Sequence, residues 1–137
     1  MPATLKLEIV TPEAQTYSDD VEMVTLPGIE GEMGIYPQHV PLMTQLAPGE
    51  VIVRKDGHDT FLAVGEGFVE VTGDHVAILT DMAIKADNID EAKAEEARRR
   101  AEARLAEHID DGENAVVSAA LANALAQINV KRRRQHR

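Results

Sequence analysis

Through most of the chain, apolar and polar residues alternate in short runs. From Thr4 to Val10, Leu5, Leu7 and Ile9 fall on one face and Thr4, Lys6 and Glu8 on the other, the two-residue period of a half-buried strand. Thr11-Pro12 ends it. Asp19-Asp20 predicts a turn into Val21–Leu26, whose apolar set changes face midway, as in a bulge or a strand serving two sheets. Leu42–Leu46 reads as a short strand closed by Pro48-Gly49. Glu50–Lys55 and Thr60–Val64 flank Asp56-Gly57, a good hairpin signal. Phe68–Thr72 and His75–Thr80 flank Gly73-Asp74 and predict a second hairpin. Gly65 and Gly67 interrupt this run, where glycine marks a bulge or a close backbone approach. Many short strands between Gly and Pro turns indicate a β-sandwich or barrel, here of about ten strands.

The period changes at Asp87. Asn88, with Glu91 three residues on, predicts a capping box. No Gly or Pro occurs from Ile89 to His108, and Ala94, Ala97, Ala101 and Leu105 form a narrow stripe at helical spacing. The other faces carry Glu95/Arg99, Glu96/Arg100 and Arg98/Glu102 at i,i+4, each pair worth ~0.3 kcal/mol. Asp110-Asp111-Gly112 predicts a break. A second helix is expected over Asn114–Val130, with Val117, Leu121, Leu125 and Ile128 on one side. Two helices joined by a short loop make an antiparallel hairpin. Its seam is mostly alanine, so it buries little apolar area and is expected to open or relocate. The fold class is α+β: a β-sandwich domain over residues 1–87 and a helical hairpin over 88–137. The closing run Lys131-Arg132-Arg133-Arg134-Gln135-His136-Arg137 reads as a solvated, frayed tail or as an electrostatic contact for an acidic partner.

Charge sharpens the division. The 137 residues carry a net charge of −10, with four basic against fifteen acidic side chains in 1–87 and ten against nine in 88–137. An acidic first part with two Tyr, two Phe and no Trp argues against nucleic acid as a partner, since phosphates need clustered cations and single strands need stacking platforms. With no cysteine there is no disulfide, thiol nucleophile or cysteine metal site. His39, His58, His75, His108 and His136 show no metal spacing. There is no phosphate-cradling Gly-rich loop, no nucleophile elbow and no paired carboxylates tuned for acid–base work. These patterns predict an interaction module with no catalytic residue and no metal. No apolar run approaches the ~20 residues that span a bilayer, and Met1-Pro2-Ala3-Thr4 starts neither a signal nor a transit peptide. Membrane contact is therefore expected only through a partner.

The most punctuated stretch is Leu26-Pro27-Gly28-Ile29-Glu30-Gly31-Glu32-Met33-Gly34-Ile35-Tyr36-Pro37-Gln38-His39-Val40-Pro41-Leu42, with three glycines and three prolines in seventeen residues. Such punctuation excludes one long helix or one central strand. It reads as a shaped, partly apolar loop with Glu30, Glu32 and His39 as polar contacts, or more plainly as corners of a β domain. The run resembles the signature of the epsilon-subunit family of rotary ATP synthases (the delta subunit of the mitochondrial enzyme), roughly Leu-Pro-Gly-x-x-Gly-Glu-x-Gly-Ile-x-Pro-x-His-x-Pro-Leu. Every fixed position matches, and Gln38 stands where that family often has Gly. Val64–Val71 is similar to a second family element. Ile89-Asp90-Glu91-Ala92-Lys93-Ala94 is similar to the family's Ile/Leu-Asp-x-x-Arg-Ala, with Lys93 in place of Arg.

The resemblance implies a non-catalytic rotor (central-stalk) subunit of the proton-translocating ATP synthase, peripheral on the cytoplasmic face of a bacterial inner membrane. The β domain would hold the gamma subunit and sit on the c-subunit ring, with Glu30, Glu32, Met33, Gly34, His39 and Leu42 toward the ring. The helical hairpin would permit ATP hydrolysis when folded on the β domain. Extended into the catalytic alpha/beta head it would inhibit, through Arg98, Arg99, Arg100, Arg104, Lys131, Arg132 and Arg133. Some bacterial members bind regulatory ATP, which implies Ile89, Asp90, Lys93, Ala94 and Arg100 as nucleotide residues. The residues themselves read more readily as a helix N-terminus and solvated i,i+4 pairs. No other cofactor is implied. A stand-alone ATP-sensing module is the alternative function, and a nucleic-acid binder using the basic tail a third.

Overall fold

The computed structural model describes residues 3–135. Ten strands come first: β1 (Leu5–Val10), β2 (Gln15–Val21), β3 (Met23–Gly28), β4 (Gly31–Ile35), β5 (His39–Leu46), β6 (Gly49–Lys55), β7 (His58–Val64), β8 (Gly67–Gly73), β9 (His75–Thr80) and β10 (Ala83–Lys85). A 3₁₀ turn at Ala86–Asn88 leads into α1 (Glu91–Leu105) and α2 (Asp111–Gln135). Hydrogen-bonded neighbours run β10-β7-β6-β3-β5-β8-β9-β1-β2, with β4 on β3.

The chain passes from β2 to β3 through Glu22, whose N–H donates to the Arg54 carbonyl in β6 (2.8 Å), so the sheet nearly closes on itself. This crossing explains the change of face after Val21. Val21 pairs with Leu5, whereas Met23 pairs with Arg54. The turn expected at Asp19-Asp20 is corrected: both residues lie in β2, paired with Leu7 and Lys6. Ladder bonds to β1 and burial of Val21 outweigh the local turn preference. Asp56 (φ 52°) and Gly57 (φ 76°) are both left-handed and join Lys55 to its partner His58, the backbone that a two-residue hairpin needs.

One apolar cluster fills the interior, and β1 to β9 each contribute, from Leu5, Leu7 and Ile9 through Val21, Val24, Ile35, Leu46, Val51, Leu62 and Val69 to Val76 and Ile78. β7 is covered on both sides. Leu62 and Val64 face this cluster, while Ala63 joins a second one with Ala86, Ile89, Ala126 and Val130, flanked by Phe61 and Ile84. α2 therefore lies over β7, and α1 packs chiefly on α2, burying Ala94 and Ala101.

Four helix expectations change. Asp90, not Asn88, caps α1 by accepting from the Lys93 N–H (3.1 Å), because Asn88 is held in the 3₁₀ turn. Asp110 accepts from the Glu113 N–H (2.7 Å), so Gly112 lies inside α2 and the break falls before it. α2 also continues past Val130, so Lys131–Arg134 are helical rather than frayed; His136 and Arg137 lie outside the described residues. Leu125, expected on the seam, is 39% exposed, and Ala124 and Ala126 are buried in its stead.

Candidate functional site

The punctuated stretch is a hairpin rather than a loop. β3 pairs with β4 from Val24↔Ile35 to Gly28↔Gly31, leaving Ile29 and Glu30 at the tip. A Cβ on Gly28 would stand 2.9 Å from the Gly31 carbonyl oxygen, so the tip requires glycine there. β4 pairs only with β3, and an edge strand tolerates glycine. After it, Gln38 adopts φ 65°, left-handed backbone that a side chain disfavours, and its N–H donates to Asp74 Oδ1 (2.7 Å) in the β8–β9 turn. The departure at Gln38 thus falls where glycine would be unstrained.

Of the hairpin residues expected at a partner surface, Glu30, Glu32 and Gly34 are exposed. His39 is half-buried, with Nδ1 2.6 Å from the Val40 carbonyl oxygen. Met33 and Leu42 pack against the main core and support the surface from below. Sequence reasoning missed an apolar row beside the tip. Phe68 (β8) pairs with Leu79 (β9), which pairs with Val10 (β1), and the three are 55%, 54% and 36% exposed. The Ile29 N–H donates to the carbonyl of Gln45, the cross-strand partner of Phe68 (3.1 Å), so the tip and the row are continuous. The signal was present: Phe68 and Leu79 are large apolar residues at the outward phase of strands whose inward phase, Val69, Val71 and Ile78, is already apolar.

The arginines expected at the catalytic head are paired with acids of this chain. Arg98 bonds Glu95 and Glu102, Arg100 bonds Glu96 (3.1 Å), and Arg104 bonds Glu107 and Glu113. Arg99 is the most open, 4.0 Å from Glu95. The Arg98 hydrogen bond holds the Glu95 carboxyl below the usual carboxylate range. Lys131 Nζ donates to the Ala86 carbonyl (3.1 Å), Arg132 to Glu91 (2.8 Å) and Glu95 (3.3 Å), and Arg133 to Glu50 (3.0 Å). Arg134, absent from the sequence-based set, is the most engaged: Nε donates to Glu50 Oε2 (2.8 Å) and its guanidinium lies 3.7 Å from the Phe61 ring centre.

The five nucleotide candidates gather around the start of α1, with Lys93 and Arg100 open to solvent. Ile89 and Ala94 are each 4% exposed, the Asp90 carboxylate caps α1, and Arg100 is paired with Glu96. Among the described residues no three His, Asp or Glu side chains could hold a metal ion, and no helix is long and apolar enough to cross a membrane.

A β-sandwich presenting a rigid hairpin tip and an open apolar row, with a helical hairpin folded over another face, defines a two-part interaction module. Residues 4–86 match the family model for the ATP synthase delta/epsilon chain β-sandwich domain, and residues 87–132 the model for its long alpha-helix domain. The chain is similar to the ATP synthase epsilon chain of Laribacter hongkongensis (strain HLHK9), 42% identical over 139 residues that cover 98% of this chain and 99% of that one. A chain in the Euglena gracilis mitochondrial ATP synthase structure (OSCP/F1/c-ring, rotational state 1) superposes with a TM-score of 0.74 at 26% identity, covering 92% of this chain and 80% of that chain. A chain of the Tetrahymena thermophila mitochondrial central stalk/c-ring shares the fold, with a TM-score of 0.58 at 12% identity over 96% of each chain. The chain belongs to the ATP synthase delta/epsilon chain family, as an epsilon subunit of the enzyme.

Proposed function

We propose that the subunit is a non-catalytic coupling part of the central stalk, with its β domain (residues 1–87) gripping the gamma subunit and the c-ring and its helices (88–137) acting as a brake on hydrolysis. The observation that carries this reading is the uncovered row Val10–Leu79–Phe68 running up to the Ile29–Glu30 tip, while the β7 face is already covered by α2. A contiguous exposed apolar row marks a macromolecular contact. In this reading the row meets gamma, and Glu30, Glu32, Gly34 and His39, backed by Met33 and Leu42, meet the ring. The subunit sits peripherally at the cytoplasmic face of a bacterial inner membrane, reaching the membrane through the complex. Arg98, Arg99, Arg100, Arg104, Lys131, Arg132 and Arg133 become contacts to the alpha/beta head once the helices leave the β domain.

The test uses an epsilon-depleted catalytic head supplied with the full chain, with the chain stopped at Asp87, or with Phe68→Glu in the full chain. The expected result is binding by the first two, inhibition of ATP hydrolysis by the full chain only, and lost binding with Phe68→Glu. Binding without inhibition by the full chain would remove the brake and leave the coupling role. Unchanged binding by Phe68→Glu would move the gamma contact off the row.

A further inference from the structure

α2 reaches the β domain through two kinds of contact. Along most of the seat the contact is small: Ala126 and Val130 of α2 meet Ala63, between Phe61 and Ile84. At its end it is ionic. Glu50 stands on the outward phase of β6, directly paired with Ala63, so it borders that seat. Its side chain is only 8% exposed and receives both Arg133 and Arg134. Arg134 is itself 20% exposed, clasped between this carboxylate and the Phe61 ring. Nearby, Lys131 closes onto the Ala86 carbonyl and Arg132 onto Glu91 and Glu95, tying α2 to the 3₁₀ turn and to the start of α1.

We propose that the last turn of α2 is an ionic latch, in which Glu50 and Phe61 grip Arg134 and so fasten the helical hairpin to the β domain. A carboxylate left almost dry without its cations is strongly disfavoured, so losing the arginines costs Glu50 more than an exposed pair would. The latch needs a guanidinium: the planar fork meets both carboxylate oxygens while its face lies on the ring, and an ammonium does only one of these. Salt acts unevenly. Arg132 and Arg133, 56% and 59% exposed, are screened, whereas the Arg134 clasp resists. No nucleotide enters this mechanism. The proposal deepens the brake reading above, from which it takes only the premise that the helices move. Its test reads the isolated full chain, so a hairpin that proves silent in the motor would leave the latch standing.

The experiment is amide hydrogen exchange on the full chain, following 123–134 in α2 with β1 and β9 as internal controls. Glu50→Gln and, separately, Arg134→Lys should each speed exchange in that segment by about tenfold while the controls stay unchanged. High salt alone should speed it by only about twofold. Millimolar ATP should leave it unchanged. Unaltered exchange in both variants would overturn the latch and assign docking to the alanine seat. Equal loss of protection in the controls would mean Glu50 supports the whole β domain rather than the hairpin. Slowing by ATP would make nucleotide, not the arginine clasp, the fastener.

Discussion

The β domain and the helical hairpin are built from different materials. The sixteen residues of the main cluster are all Leu, Ile or Val, whereas three of the five in the cluster under α2 are alanines. Burying a branched aliphatic side chain contributes about 2 kcal/mol, and an alanine methyl well under half of that. The first region is held by bulk that cannot leave without unfolding. The second is held by small residues and by charges at its edge, a combination that can separate while both partners stay folded. On the proposed function, a part that transmits torque and a part that changes place would need those two kinds of cohesion.

The largest effect should come from the β core. Ile78→Ala, at a fully buried position, should cost about 3 kcal/mol and lower the unfolding midpoint of the whole chain. Val130→Ala, 2% exposed in the α2 seat, should barely move that midpoint and instead raise exchange in α2. Equal drops in calorimetry would mean that the two regions unfold as one unit, and the contrast would fail.

Two glycines two positions apart, Gly65 and Gly67, sharpen the same contrast. A Cβ on Gly67 would stand 1.9 Å from the Leu79 carbonyl oxygen, which is backbone of the neighbouring strand and cannot turn aside. Gly67→Ala should therefore destabilise the β domain by about 2 kcal/mol. A Cβ on Gly65 would meet Asp81 Oδ1 at 1.8 Å and Asn123 Oδ1 of α2 at 2.6 Å, both side-chain atoms. Gly65→Ala should cost less globally and loosen α2 near Asn123. Circular dichroism melts would separate the first effect and amide exchange the second.

Much of this was legible in the sequence. Strands with clean alternation, such as Leu5–Val10, and the Asp56-Gly57 hairpin were legible because each local signal agrees with the fold. β2 was not, since Gln15–Val21 offers only Tyr17 and Val21 as apolar positions and is held by its pairing with β1. The hairpin surface residues were legible through a resemblance, which grouped Met33 and Leu42 with Glu32 although both pack toward the core while Glu32 faces outward. The clasp at Arg134 was illegible, because it joins residues 84 apart in sequence through a docking that no local pattern encodes.

Acid should act on the hairpin. Hydrogen bonding from Arg98, opposed by partial burial, lowers the Glu95 pKa in the folded chain. A group lowered on folding stabilises fully above its unfolded pKa, and that contribution disappears as pH falls through the folded value. Glu95 also receives Arg132 of α2, so protonation loosens α1 from α2 as well as α1 itself. Helix protection should fall below the usual carboxylate range, and Glu95→Gln should remove that part of the acid response. A wild-type acid profile in Glu95→Gln would place the effect on other carboxylates.

The smallest effect falls on the turn before β5, beside His39. A left-handed conformation costs a non-glycine residue about 1–2 kcal/mol, and glycine returns roughly half of this as unfolded-state entropy. Gln38→Gly should therefore stabilise the chain by about 0.5 kcal/mol, a rise of ~2 °C in the melting midpoint. The bond to Asp74 uses the Gln38 backbone N–H and survives that change. Asp74→Ala removes the bond and should lower the midpoint by a similar amount, leaving a φ of 65° without its anchor. If both variants melt with the parent chain, the turn before β5 is not under tension and Asp74 does not hold it. If they move apart as expected, the surface beside His39 is kept in a costly shape by a tether to the β8–β9 turn, which suits a contact whose form must persist under load.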